Sequence, residues 1–119
     1  MFALYYKTNI MYSKTKEFEI TKQDLAQYAK VFSHPARLAI IQLLAEKQEC
    51  IVGDIAQEFP FISRTTVSQH LQELKNAGII KGEIEGVKIC YCLNYEVVNQ
   101  IKKQFEDYFL GINQFNCKC

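Results

Sequence analysis

Residues 63–93 change their hydrophobic period at a single glycine. Before Gly78, the stretch "SRTTVSQHLQELKNAG" carries Val67, Leu71 and Leu74 at helical spacing. After it, "IIKGEIEGVKICYCLN" alternates with period two on both sides of "EIEG". A helix that stops at a left-handed glycine and runs straight into a hairpin turning at Gly86 leaves few architectures open. Ser63 is placed to cap that helix through its hydroxyl. In the hairpin, Ile89, Tyr91 and Leu93 share one face, and Lys88, Cys90 and Cys92 the other.

The flanking segments add helices. "TKQDLAQYAKVF" sets Leu25, Tyr28, Ala29 and Phe32 on one stripe, with Thr21 as cap and Asp24 three positions on. "SHPARLAIIQLLAEK" restarts with Pro35 at a first helical position and Leu38, Ile41 and Leu44 or Ala45 inward, which predicts the most buried helix. "CIVGDIAQEF" predicts a short third helix with Ile51 or Val52, Ile55, Ala56 and Phe59 inward, stopped by Pro60. At the far end, "YEVVNQIKKQFEDYFLGI" carries Val98, Ile101, Phe105 and Tyr108 or Phe109 as a stripe that asks for a partner surface. The expected fold is mainly α with a small β-hairpin: a winged helix-turn-helix of five helices and a two-stranded wing. The domain is expected over residues 21–112. Residues 1–20 precede it as a poorly ordered segment in which Met11 offers a second start, and 113–119 follow as a cysteine-containing tail.

Composition narrows the class. A chain of 119 residues with 49% hydrophobic content suits one compact domain, and no run is long enough for a membrane span. The first residues lack the pattern of a secretory signal, so a cytoplasmic location is expected and no membrane partner. Net charge is +1, so any nucleic-acid binding must come from local placement of charge and from doubling in a dimer. There is no phosphate-cradling glycine loop, no H-E-x-x-H and no nucleophile elbow, and an enzyme is not expected.

In a winged helix-turn-helix the second helix of the pair enters the major groove of double-stranded DNA, and the hairpin touches the backbone. That role accounts for the polar face of residues 63–78. Arg64 and Gln69 suit base edges, while Ser63, Thr65, Thr66, Ser68 and His70 suit phosphates or bases, with Lys88 on the wing. A merely solvated face would favour Glu and Lys over poor helix formers such as Thr65, Thr66 and Ser68. His34 is expected to cap or pack at its helix entrance rather than bind metal.

The pieces "FSHPARLAIIQLLAEKQECIVGDIA", "SRTTVSQHLQELKNAGIIKGE" and "VKICYCLN" together resemble the ArsR/SmtB family of metal-responsive repressors across roughly residues 25–95. The resemblance implies a homodimer paired through its first and last helices, seated on a palindromic operator and released by an inducer. DNA binding itself would need no cofactor. In that family a soft-metal site lies at two cysteines separated by one residue; here Cys50 matches the first and Val52 replaces the second, so the site is not whole. The family's zinc and nickel site on the last helix needs histidines, and this helix has Asp107 but no histidine.

Five cysteines, at 50, 90, 92, 117 and 119, remain to be explained. Their odd number argues against a complete disulfide framework and for thiolate ligands or redox sensors. Trivalent arsenic or antimony prefers three thiolates. Cys50, Cys117 and Cys119 are the first choice for that set, within or across subunits, ahead of Cys90 and Cys92, which packing on their strand face also explains. Two other readings stay open. One is a thiol-redox or persulfide-responsive repressor using a cysteine pair; the other is a winged-helix protein-interaction module that binds no DNA.

Overall fold

The computed structural model describes residues 16–47, 51–52, 55–85 and 88–115. The expectations for residues 1–15, which include Met11, and for Cys50, Gly86, Cys117 and Cys119 concern positions outside these. Helix α1 spans Ile20–Val31 and buries Tyr28 and Val31. Its N-cap is Glu19, two residues before the expected Thr21 cap; Thr21 Oγ1 instead donates to the Glu19 carboxylate. Helix α2, Pro35–Lys47, starts at the expected proline. It buries Ala36, Ile40 and Leu44, an i, i+4, i+8 line, while Leu38 is 51% exposed. The inward stripe is therefore rotated from the expected one, and Ile41 sits at its margin against the core.

The expected third helix does not form. Ile51–Val52 is strand β1, and only Ile55–Glu58 coils, as a single 3-10 turn. Helix α3 is Arg64–Asn76, β2 is Ile80–Glu85, β3 is Lys88–Leu93 and α4 is Tyr95–Asn113. The described residues thus hold four α-helices rather than five. The wing is a three-stranded antiparallel sheet in the order β1-β3-β2, with Ile51 opposite Tyr91 and Val52 opposite Cys90. β-branched residues suit such pairing better than a first helical turn, and the edge of β3 supplies the partner.

Two features expected from the sequence, a serine cap and a glycine stop, position α3. The Ser63 side chain accepts from the Thr66 N–H at 3.1 Å and caps the helix. Gly78, at φ 79°, ends it: the Gly78 and Ile79 amides return to the carbonyls of Lys75 and Leu74. Ile79 and Ile80 then enter the core beside Leu74 and Val67. Asn94 closes the hairpin twice, its N–H donating to Ile79 O at 2.8 Å and its side chain capping α4 at Val97 N. The 3-10 turn, the bend at residues 59–63 and α3 make the helix-turn-helix pair, and α2 packs against both α3 and β3.

Helix α4 commits little of its length to the core. Ile101 is buried and Val97, Val98 and Phe105 pack at its margin, but Tyr108, Phe109, Leu110 and Ile112 are exposed. Its first half packs the domain, and its second half runs beside α1, across a groove, with its apolar side chains exposed.

Candidate nucleic-acid interface

The exposed side of α3 is built by subtraction. Val67 and Leu74 turn fully inward and Leu71 packs at the core margin, so the opposite side must face out. On it lie Arg64, Thr65, Ser68 and Gln69, all exposed, with Ser63 exposed at the cap. Thr66 is half-buried and locked locally: its N–H donates to Ser63, and Ser63 Oγ–H donates to its hydroxyl at 2.8 Å. The first turn carries no acidic residue. The N-terminal end of this 13-residue helix, with its positive dipole and no carboxylate in its own first turn, suits a phosphate.

His70 departs from the expectation. At 7% exposure it is the one buried polar side chain among the described residues, turned in with Val67 and Leu74 rather than out with Gln69. Its Nδ1 accepts from Arg37 Nε at 3.0 Å, and its ring lies 4.3 Å from that of His34, tilted by 46°. Burial, then His34, then Arg37 hold its pKa below the ordinary histidine value, against a smaller opposing pull from Glu73. His34 does cap: its Nδ1 accepts the Ala36 N–H at 3.0 Å at the start of α2. Lys88 opens β3 opposite Glu85 in the hairpin register.

Two residues near this surface escape a reading by residue type. Arg37 is the lone cation in the otherwise apolar first turns of α2, a position that calls for a buried partner. Phe61, in the bend before α3, is 82% exposed and stands edge-on to Phe59 at 6.4 Å. Its signal is only its place in the turn.

Of the cysteines, Cys90 is disulfide-bonded and Cys92 carries a free, half-buried thiol. Among the described residues no three His, Cys, Asp or Glu side chains gather as a metal site. No helix among them is long and apolar enough to cross a membrane.

A polar, carboxylate-free helix N-terminus on the second member of a helix-turn-helix pair, followed by an antiparallel wing, defines a winged helix-turn-helix DNA-binding domain. A model of a helix-turn-helix domain family matches residues 32–83, from the end of α1 into β2. The chain is 37% identical over 86 residues to a cadmium resistance transcriptional regulatory protein, a CadC homolog of Staphylococcus aureus, covering 70% of each. It is 29% identical over 97 residues to the arsenical resistance operon repressor of Staphylococcus xylosus, covering 82% of this chain and 89% of that one. Its fold matches the homodimeric winged helix-turn-helix DNA-binding domain of Mb0332 from Mycobacterium bovis with a TM-score of 0.54 at 22% identity, over 81% of this chain and 88% of that one. The chain belongs to the ArsR/SmtB family of transcriptional repressors, a family of DNA-binding regulators and not of enzymes.

Proposed function

We propose that the protein is a homodimeric repressor that holds an inverted-repeat operator through Arg64, Thr65, Ser68 and Gln69, with Ser63, Thr66 and Lys88 on the flanking phosphates. It leaves the DNA when cysteine thiolates take up a thiophilic ligand, trivalent arsenic or antimony first. The observation that carries the DNA half is the exposed, carboxylate-free start of α3, set against a core face as apolar as Val67 and Leu74. For the dimer, the support is the exposed apolar end of α4, where Tyr108, Ile112 and Phe115 line a groove with Thr21 and Leu25 of α1. A two-fold axis through that surface would present two α3 helices to successive major grooves, about 34–36 Å apart.

The ligand half rests on chemistry and on the relatives. Thiolates select soft ions, and the two staphylococcal relatives are named for cadmium and arsenical resistance. Cys50, Cys117 and Cys119 remain the thiolate set proposed from the sequence. The pairing of β1 with β3 favours an alternative set: the strand that follows Cys50 lies against the strand carrying Cys90 and Cys92. Ligand binding would act as a coupling free energy, stabilising a dimer shape whose reader helices no longer match the groove spacing.

A second reading is favoured by the disulfide at Cys90, next but one to the free thiol of Cys92. In it, oxidation or a polysulfide, not a metalloid, releases the DNA. One experiment separates the two. Binding of the reduced protein to the DNA upstream of its own gene is followed with arsenite and with polysulfide, in the wild type and in single Cys→Ser variants at all five positions. Release by arsenite that is lost in three of the variants supports the trithiolate and names its members. Release by polysulfide alone supports the redox reading, and an arsenite response unchanged in every variant contradicts both.

A further inference from the structure

The one buried polar side chain among the described residues lies on the helix that carries the proposed DNA face, and it is held from another helix. Val67, His70 and Leu74 share the inward side of α3, but only Val67 and Leu74 are apolar. An imidazole at 7% exposure must find a partner or cost the fold its desolvation energy. Arg37 of α2 supplies it: Nε donates to His70 Nδ1 at 3.0 Å, and the other arm of the guanidinium donates to the Val31 carbonyl at 3.2 Å. One planar, fixed fork thus ties the last residue of α1, the first turn of α2 and the middle of α3 together.

This bond has a protonation condition. Nδ1 accepts, so the neutral ring carries its proton on Nε2, which is buried and has no partner of its own. A second proton would have to go on Nδ1, replacing the acceptor by a donor and setting an imidazolium against the guanidinium. The charged and titratable groups facing His70 are few: His34 from the entrance of α2, Arg37 from α2 itself and Glu73 from the next turn of α3. Two of the three are basic and oppose that second proton.

We infer that Arg37 and neutral His70 are a positioning pair that seats α3 for DNA, so that protonating His70 weakens specific binding without unfolding the domain. The inference rests on reading the exposed side of α3 as the DNA face. Gln69 and Ser68 neighbour His70 in sequence and point away from it, so any shift of the imidazole side of the helix is passed directly to the groups proposed to reach bases. Arg37 acts through His70 and is not itself a phosphate ligand. That separates it from an ordinary DNA-contacting arginine, whose removal lowers the salt dependence of binding by about one ion.

The test uses the full-length reduced protein, a tight duplex selected from a random pool, and an unrelated duplex, between pH 7.5 and pH 5.5 with helicity checked throughout. Expected for the wild type is a loss of a few-fold, and less than about tenfold, on the selected duplex as pH falls, with little change on the unrelated one. Asn in place of His70 presents a non-titrating acceptor near the Nδ1 position; His70→Asn should bind like wild type at pH 7.5 and show no pH dependence. His70→Leu and Arg37→Ala should be weak at every pH with an unaltered salt slope. Because His34 is the only other histidine, a pH dependence retained by His70→Asn overturns the inference and passes it to His34. A salt slope reduced in Arg37→Ala overturns it too. Wild type that binds no duplex at pH 7.5 contradicts the DNA-face reading itself and takes the inference with it.

Discussion

The ring of Tyr91 lies over Gly82. The two residues face each other across the β2–β3 ladder, and a Cβ on residue 82 would stand 3.0 Å from Tyr91 Cε1 and 3.3 Å from Cδ1. The glycine is there because the tyrosine needs its space, since Tyr91 packs against the core from the wing strand. Gly82→Val must push the ring out, and destabilisation of roughly 1–3 kcal/mol is expected by urea unfolding. A variant as stable as wild type would show that the ring has room to move aside.

Gly78 is constrained differently. A Cβ there meets only Val97 at ordinary contact distance, so space is not the issue; the backbone at φ 79° is. Gly78→Ala should cost about 1 kcal/mol through the left-handed conformation alone. Val97→Ala should leave that cost unchanged in a double-mutant cycle.

The Ser63 hydroxyl caps α3 and bonds Thr66. Ser63→Ala is expected to lower stability by about 1 kcal/mol, whereas Ser63→Asp should retain stability and weaken DNA binding by placing a carboxylate at the phosphate-facing end. Thermal unfolding and fluorescence anisotropy on the same preparations distinguish the two effects.

Stability should fall on mild acidification. His70 has a lowered pKa in the fold, so the unfolded chain binds more protons once pH drops below its ordinary value of about 6.5. The neutral-histidine contribution is complete above that value and is lost progressively as pH falls through the lowered native value. His70→Asn should remove this portion of the pH dependence of the unfolding midpoint. An unchanged profile would assign it elsewhere.

The exposed end of α4 predicts the assembly. Ile112 lines the groove between α4 and α1 and is exposed in the single chain. Ile112→Asp should shift the protein from dimer to monomer in sedimentation equilibrium and weaken operator binding steeply, since each half-site alone contributes only part of the affinity. Persistence of a dimer would place the interface on another face.

Much of this molecule was legible because local chemistry and tertiary contact agree: Pro35 starting α2, Ser63 capping α3, Gly78 stopping it, and the period-two run forming the wing. Where they disagree, local pattern lost. Ile51 and Val52 fit a helical stripe, but their pairing with Tyr91 and Cys90 makes them strand. Leu38 reads as inward by hydrophobicity, yet the buried line runs through Ala36, Ile40 and Leu44 and leaves Leu38 outside. By residue type His70 suits the groove, although its spacing to Val67 and Leu74, i−3 and i+4, sets it in the buried stripe. Its partner Arg37, 33 positions away in sequence, could be found only in the fold.

The account turns on α3 reading DNA as one of a two-fold pair. Selection of tight duplexes from a random pool by the wild-type protein and by Gln69→Ala tests it most directly. The predicted result is an inverted repeat with half-site centres about one helical turn apart, and a relaxed preference in Gln69→Ala at one base pair per half-site, with its neighbours unchanged. Enrichment of no sequence, or the same site with the same stringency from both proteins, would contradict it.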